Sequence, residues 1–198
     1  MIARDFIEES KLLLLQKGVN IDASDRELFI YLQSVYITLQ KDAPQFSKKI
    51  SFDIKPLVQE YNAGYEIIDG INLSIGGEKF VKTTQDMFYT LDDESMQYYT
   101  ISHNDIIINT IPQKESIATF SFYYAKRLVD VESVLAIPII FEESLRLLFL
   151  SRCCEKIPTR NDRNLSIHYL KRYNTEVESA KKVNKKRYKN ITSTHQAY

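Results

Sequence analysis

The chain has 198 residues, of which 44% are apolar and 26% charged, and its 26 basic and 26 acidic residues give a formal net charge of zero. With only five Gly, five Pro and two Cys, it is excluded from the collagen-like, low-complexity and disulfide-framework classes. It is long enough for one sizeable core, or for a domain carrying an inserted module.

The charge is unevenly spread. Lys181, Lys182, Lys185, Lys186, Arg187 and Lys189 fall in the last 18 residues, 181–198, with no acid among them. Residues 1–180 therefore hold the remaining 20 bases against all 26 acids, a net of −6. An acidic body with a basic tail signals a partner, although cations near a helix C-terminus are also favoured by the helix dipole. Asp5, Glu8 and Glu9 stand where a secretory leader would need positive charge. The longest apolar runs, 12–15 and 134–141, are far shorter than the ~20 residues of a membrane span. The expectation is a chain made in the cytoplasm, with reduced thiols and no membrane partner.

Residues 3–17 read as a helix with Ala3, Phe6, Ile7, Leu13 and Leu14 on one side and Gly18 as its stop. Ser24 and Glu27 form a capping-box pattern before a second helix, about 25–41, with Leu28, Leu32, Val35, Tyr36 and Leu39 at helical spacing. From Lys48 to Ala125 the period changes to alternation. Ile50, Phe52 and Ile54 alternate with polar neighbours, and Asp69-Gly70 reads as a tight turn between two short strands. Gly76-Gly77 supplies a second turn, and residues 84–95 read as loop or a helical turn. A hairpin follows across His103-Asn104-Asp105, then a strand with Phe120, Phe122 and Tyr124 on one face. Six or seven strands at this spacing suggest a small antiparallel sandwich or barrel-like sheet. Beyond Pro138 the text is helical again and densely apolar, with Leu145, Leu147, Leu148, Phe149 and Leu150 on more than one face. Pro158 breaks it, and a last helix carries Leu165, Tyr169, Tyr173, Val177 and Ala180 on one stripe.

The fold class expected from this order is α+β: a bundle of four main helices with an inserted antiparallel β-module. The expected segments are 1–46 (N-terminal helices), 47–126 (β-module), 127–180 (C-terminal helices) and 181–198 (basic tail).

Catalytic signatures are missing. The histidines stand apart at 103, 168 and 195, and no zinc-protease, serine-hydrolase, phosphate-loop or paired-cysteine motif occurs. Adjacent Cys153 and Cys154 point about 100° apart on a helix, so a bond between them would be strained, and they read as inert thiols. Asp92, Asp93 and Glu94 are better explained as a solvated loop than as a cation site. Tyr98, Tyr99, Tyr123 and Tyr124 invite comparison with a stacking platform for single-stranded nucleic acid, but alternation sends half of them to a core. The expectation is a protein that is not an enzyme and needs no cofactor or metal.

Certain stretches carry a family resemblance. They are residues 25–28 running to Asp42-Ala43-Pro44-Gln45-Phe46, Tyr99-Thr100-Ile101 with 105–108 and Pro112, 120–125, and Ala136-Ile137-Pro138 with 139–150. In this order they resemble the head-to-tail adaptor (connector, head-completion or neck ring) proteins of tailed bacteriophages. The resemblance implies a virion protein assembled in the host cytoplasm into a homo-oligomeric, dodecameric ring beneath the portal, through which DNA passes without sequence recognition. It implies a portal-binding tail of Lys181, Lys182, Lys185, Lys186, Arg187, Tyr188, Lys189 and Tyr198. It also implies subunit packing by Ile139, Ile140, Leu145, Leu148, Phe149, Tyr169 and Tyr173. Contacts with the next neck or tail protein fall to Asp69, Gly70, Asp92, Asp93 and Glu94. The excess apolarity of the helix after Pro138 agrees with a ring interface, and the acidic body agrees with a channel in which DNA slides without sticking. Three alternatives are another ring of the same neck or tail, a nucleic-acid-binding regulator using the basic C-terminal helix, and a metal-dependent enzyme built on the scattered carboxylates.

Overall fold

A computed structural model describes residues 1–90, 96–155 and 160–194, without the side chains of 160–162 and 185–194. Its helices are α1 (Ala3–Gln16), α2 (Asp25–Asp42), α3 (Gln85–Phe88), α4 (Glu142–Glu155) and α5 (Arg160–Thr194). Its strands are β1 (Ser47–Ile54), β2 (Glu60–Asn62), β3 (Ile67–Ile75), β4 (Glu78–Lys82), β5 (Tyr98–Ser102), β6 (Asp105–Ile108) and β7 (Ser116–Tyr124). The chain divides into two compact units, Met1–Ala43 with Arg127–Tyr198, and Pro44–Lys126.

The expected fold class is corrected. Among the described residues there are five α-helices rather than four, and the strands form one seven-stranded sheet in the order β1-β7-β3-β4-β5-β6-β2, curled like half a barrel. The sheet is mixed, because β4 and β5 pair in parallel through Val81 with Tyr98 and Lys82 with Tyr99. The antiparallel expectation assumed that successive strands return through tight turns. Residues 83–97, with α3 among them, are instead long enough for the crossover that a parallel pair requires.

In the helical unit, α2 starts where the capping box places it. The Ser24 hydroxyl accepts from the Glu27 N–H, and the Glu27 carboxylate accepts from the Ser24 N–H at 2.9 Å. Each helix buries one stripe: Phe6, Ile7 and Leu14 on α1; Leu28, Leu32, Val35, Tyr36 and Leu39 on α2; Tyr169, Tyr173, Val177 and Ala180 on α5. Helix α4 packs against all three and is buried on most sides. Phe149 meets Phe6 edge-on at 5.6 Å, and Arg146 lies over the Phe6 ring while bonding Glu9 at 2.9 Å. Between α4 and α5, Ser151 and Ser166 exchange hydrogen bonds: each hydroxyl donates to the other residue's carbonyl, at 3.0 and 2.9 Å. Two small residues thus let the helices approach closely. The segment after Lys126 belongs to this unit, since Leu128 and Leu135 are buried in its core and the Ala3 and Arg4 N–H groups donate to Ser133 and Val131.

The β-unit has its own core of Ile54, Leu73, Tyr99, Ile106, Ile108, Ala118, Phe120 and Phe122. Phe120 and Phe122 stack at 4.9 Å, and Tyr99 meets Phe120 edge-on at 5.8 Å. The turn between β3 and β4 is Gly76-Gly77, with φ of 59° and 92°, as a two-residue hairpin loop demands. Asp69-Gly70 is not a turn. Both lie inside β3, where the register with β7 shifts between Ile67 and Asp69 and again between Gly70 and Asn72. Glycine marks a bulged, tightly packed strand here, because a Cβ at Gly70 would sit 2.6 Å from the Tyr99 hydroxyl and 2.9 Å from Ile101 Cδ1.

Candidate functional site

Two features of the helical unit stand out. The first is the far end of α5. Ala180 is the last buried residue among those whose side chains are described, yet the helix continues to Thr194. At 1.5 Å per residue that continuation spans roughly 21 Å. Its backbone carries Lys185, Lys186, Arg187, Tyr188 and Lys189, whose side chains lie outside the described residues, as Tyr198 does entirely. Lys181 is partly buried and bonds Glu178 at 2.7 Å, and Lys182 is exposed.

The second feature is a groove of about 610 Å³ between α2, α4 and α5. Leu148 and Ser151 form its floor, Val35 and Thr38 one wall, and Ile167 and Leu170 the other. Ile167 is 53% exposed and Leu170 43%. Neither belongs to the stripe by which α5 packs on α4. One end of the groove is closed by Arg152, Glu155 and Arg163, with Arg152 donating to Glu155 at 2.5 Å. No motif search finds such a groove. Its one sequence signal is apolar text on α5 that falls outside the main stripe.

The residues expected to pack subunits divide sharply. Leu145, Leu148, Phe149, Tyr169 and Tyr173 are buried inside this chain's own core, and Tyr173 also donates to Asp42 at 2.5 Å. Ile140 is partly buried against that core, and Ile139 stands 79% exposed. The apolar excess of α4 is thus used within one protomer, so it no longer argues for a neighbour. Of the residues expected to meet the next ring, Asp69 is in β3 and ion-paired with Lys82, and Gly70 is packed beneath Tyr99. Asp92, Asp93 and Glu94 lie outside the described residues.

The β-unit offers a different exposed apolar point that sequence reading misses. Lys55-Pro56-Leu57-Val58 turns with the Val58 N–H donating to the Lys55 carbonyl, and Leu57 takes φ 64° while standing 77% exposed. A left-handed leucine is strained. The Tyr61 hydroxyl holds the turn by donating to the Val58 carbonyl at 2.6 Å, and the Leu57 N–H donates to the Pro112 carbonyl at 3.0 Å.

Reactive chemistry is sparse. Cys153 and Cys154 are both buried, and burial, with the neighbouring thiol second, pushes Cys153 up to about 12, so it stays protonated and unreactive at neutral pH. His103 occupies a hairpin turn at φ 57°. Of the suggested aromatic platform, Tyr99 is buried in the β-core, where burial and then the Asp69 charge push its hydroxyl up to about 12. Among the described residues, no group of three or more His, Cys, Asp or Glu could hold a metal ion, and no helix is long and apolar enough to cross a membrane.

Compared with protein-family models and with curated protein sequences, the chain matches none.

Proposed function

We propose that this chain is a structural virion protein that joins a phage portal vertex to the tail as a homo-oligomeric ring and continues the DNA channel. The observation that carries the reading is α5, whose backbone runs on to Thr194 past Ala180, the last buried residue among the described side chains, over a stretch that holds six cations and no acid. A helix end this basic is suited to lie along another surface, and its charge selects an acidic one. In this reading residues 181–198 dock on the portal, and the β-unit supplies the contact with the next neck or tail component. The body is acidic, with a net of −6 over residues 1–180, which suits a wall past which DNA slides.

The test is a deletion of residues 181–198. The shortened chain should keep its unfolding temperature and lose docking on portal-bearing heads, seen by electron microscopy as loss of a ring beneath the portal. Docking by the shortened chain would sink the tail assignment.

The same cations favour a second reading, a nucleic-acid-binding regulator. It requires salt-sensitive affinity of the full chain for duplex DNA, falling by roughly three to five decades between 50 and 200 mM salt if six to ten phosphates are contacted. A weak, salt-insensitive response favours the ring. Another ring position in the same neck differs only in which head or tail intermediate the chain decorates.

A further inference from the structure

Helix α1 presents apolar residues that the fold does not use. Its buried stripe is Ala3, Phe6, Ile7, Ser10 and Leu14, yet Leu12 and Leu15 are 59% and 61% exposed on its outer side. Glu8 precedes Leu12 by one turn and Asp5 lies one turn further back, both exposed. The outer face of α1 therefore reads acid, acid, leucine, leucine along its length.

The groove between α2, α4 and α5 is the counterpart of that pattern. Ile167 and Leu170 are three residues apart on one wall, as Leu12 and Leu15 are on α1, and Val35 and Leu148 complete an apolar slot. Arg152, Glu155 and Arg163 line one end, two cations to one acid. Arg152 is already bonded to Glu155, so a single net positive charge, carried by Arg163, faces the acids of an entering helix. The Ser151–Ser166 clasp keeps the floor low, because two hydroxyls occupy positions where larger side chains would fill the slot. No residue of α1 lines this groove, so a protomer does not fill its own slot with its own α1.

We infer that the outer face of α1 seats in the α2–α4–α5 groove of a second copy of this chain, with Leu12 and Leu15 beside Ile167 and Leu170, and Asp5 and Glu8 toward Arg152 and Arg163. The two surfaces are different patches of one molecule, so the contact is heterologous. Each protomer keeps one unused knob and one unused slot, and such contacts propagate, closing into a ring when the rotation between neighbours closes and running on as a filament when it does not. The inference rests on the ring reading above and gives it a residue-level interface. The apolar core of the contact supplies the affinity, and the flanking charges set its direction.

The test uses the full chain carrying Leu12→Cys and Ile167→Cys together. The native thiols do not compete, because both are buried and Cys153 is held protonated. Mild oxidation, in free solution and on portal-bearing heads, should give a ladder of disulfide-linked multimers on denaturing gels. Leu12→Cys alone and Ile167→Cys alone should give no ladder. Two further variants ask the same question without a crosslink. L12D/L15D and I167D/L170D change exposed positions, should melt close to the parent chain, and should each weaken self-association by about tenfold or more. Mixed one to one, they should form dimers and nothing larger, since the mixture holds one intact knob-and-slot pair.

Docking on heads without the 12–167 ladder overturns this contact and leaves the ring reading standing. A ladder in solution without docking keeps the contact and removes the portal as its address. If the aspartate variants melt many degrees below the parent chain, the crosslink alone decides, and its absence in both settings overturns the inference.

Discussion

The helical unit and the β-unit solve the problem of burial differently. In the helical unit three helices each turn one stripe toward α4, and the stripe is one face among several. Apolar residues such as Leu12, Leu15, Ile167 and Leu170 can therefore stand outside without disturbing the packing. In the β-unit alternation allows only two faces, and the inner face is filled by rings: Phe120 on Phe122 at 4.9 Å, with Tyr99 and Tyr65 beside them. The helical unit thus has surface to spare for partners, and the β-unit has little tolerance at its centre. One scaffold is permissive outside, the other strict inside.

The largest test of that contrast truncates each core at its deepest ring. Phe149→Ala and Phe120→Ala should each cost about 3–5 kcal/mol. Because each side chain belongs to a separate cluster of buried residues, the loss should be local. Hydrogen exchange should quicken in α1, α4 and α5 for the first variant, and in β3, β5 and β7 for the second. Equal quickening of both units by either change would show that the two cores unfold as one.

Gly70→Ala sharpens the claim of strictness. An added methyl meets the Tyr99 hydroxyl and Ile101, so a cost of about 1–3 kcal/mol is expected. Adding Tyr99→Phe removes the nearest atom and should recover part of it, by an interaction of about 0.5–3 kcal/mol in a double-mutant cycle. Simple additivity would mean that Gly70 is not held by Tyr99.

Ser24→Ala tests the permissive side at a helix end. Loss of the cap should cost about 1 kcal/mol by urea denaturation. The smallest effect is in pH. Hydrogen bonds from Ser24, first from its hydroxyl and then from its backbone, hold Glu27 below its ordinary value of 4.5. A carboxylate depressed in the folded state contributes stability above its unfolded value and loses it as pH falls through the folded one. The fall in stability below about pH 4.5 should therefore be slightly shallower in Glu27→Gln than in the parent chain, and equal slopes would rule out this contribution.

What could be read from the residues alone follows the same division. Ser24 and Glu27 announce α2, and the Tyr169–Tyr173–Val177–Ala180 stripe announces the packed face of α5, because both signals are local. The alternation of Ala118, Phe120 and Phe122 marks β7 for the same reason. The parallel β4–β5 pair carries no local mark, since register between distant strands is decided by the whole sheet. Asp69-Gly70 misleads because the dipeptide that favours a turn also serves a bulge, and only the ring of Tyr99 above it tells the two apart. The apolar run of α4 suggests a neighbouring subunit when its partners are α1, α2 and α5 of the same chain. Of the groove the sequence shows only Ile167 and Leu170 outside the main stripe of α5, because the facing walls come from helices separated by more than a hundred residues.

The parallel seam has a mechanical consequence. Two matched residue pairs, Val81 with Tyr98 and Lys82 with Tyr99, are the whole register between β4 and β5, whereas β1 and β7 share eight. Pulled apart, the sheet should tear there first, leaving β1, β7, β3 and β4 as one flap and β5, β6 and β2 as the other. What resists the tear is the Tyr99 ring, wedged across the seam against Phe120 and over Gly70, so that one side chain acts as a rivet where the backbone supplies only two stitches.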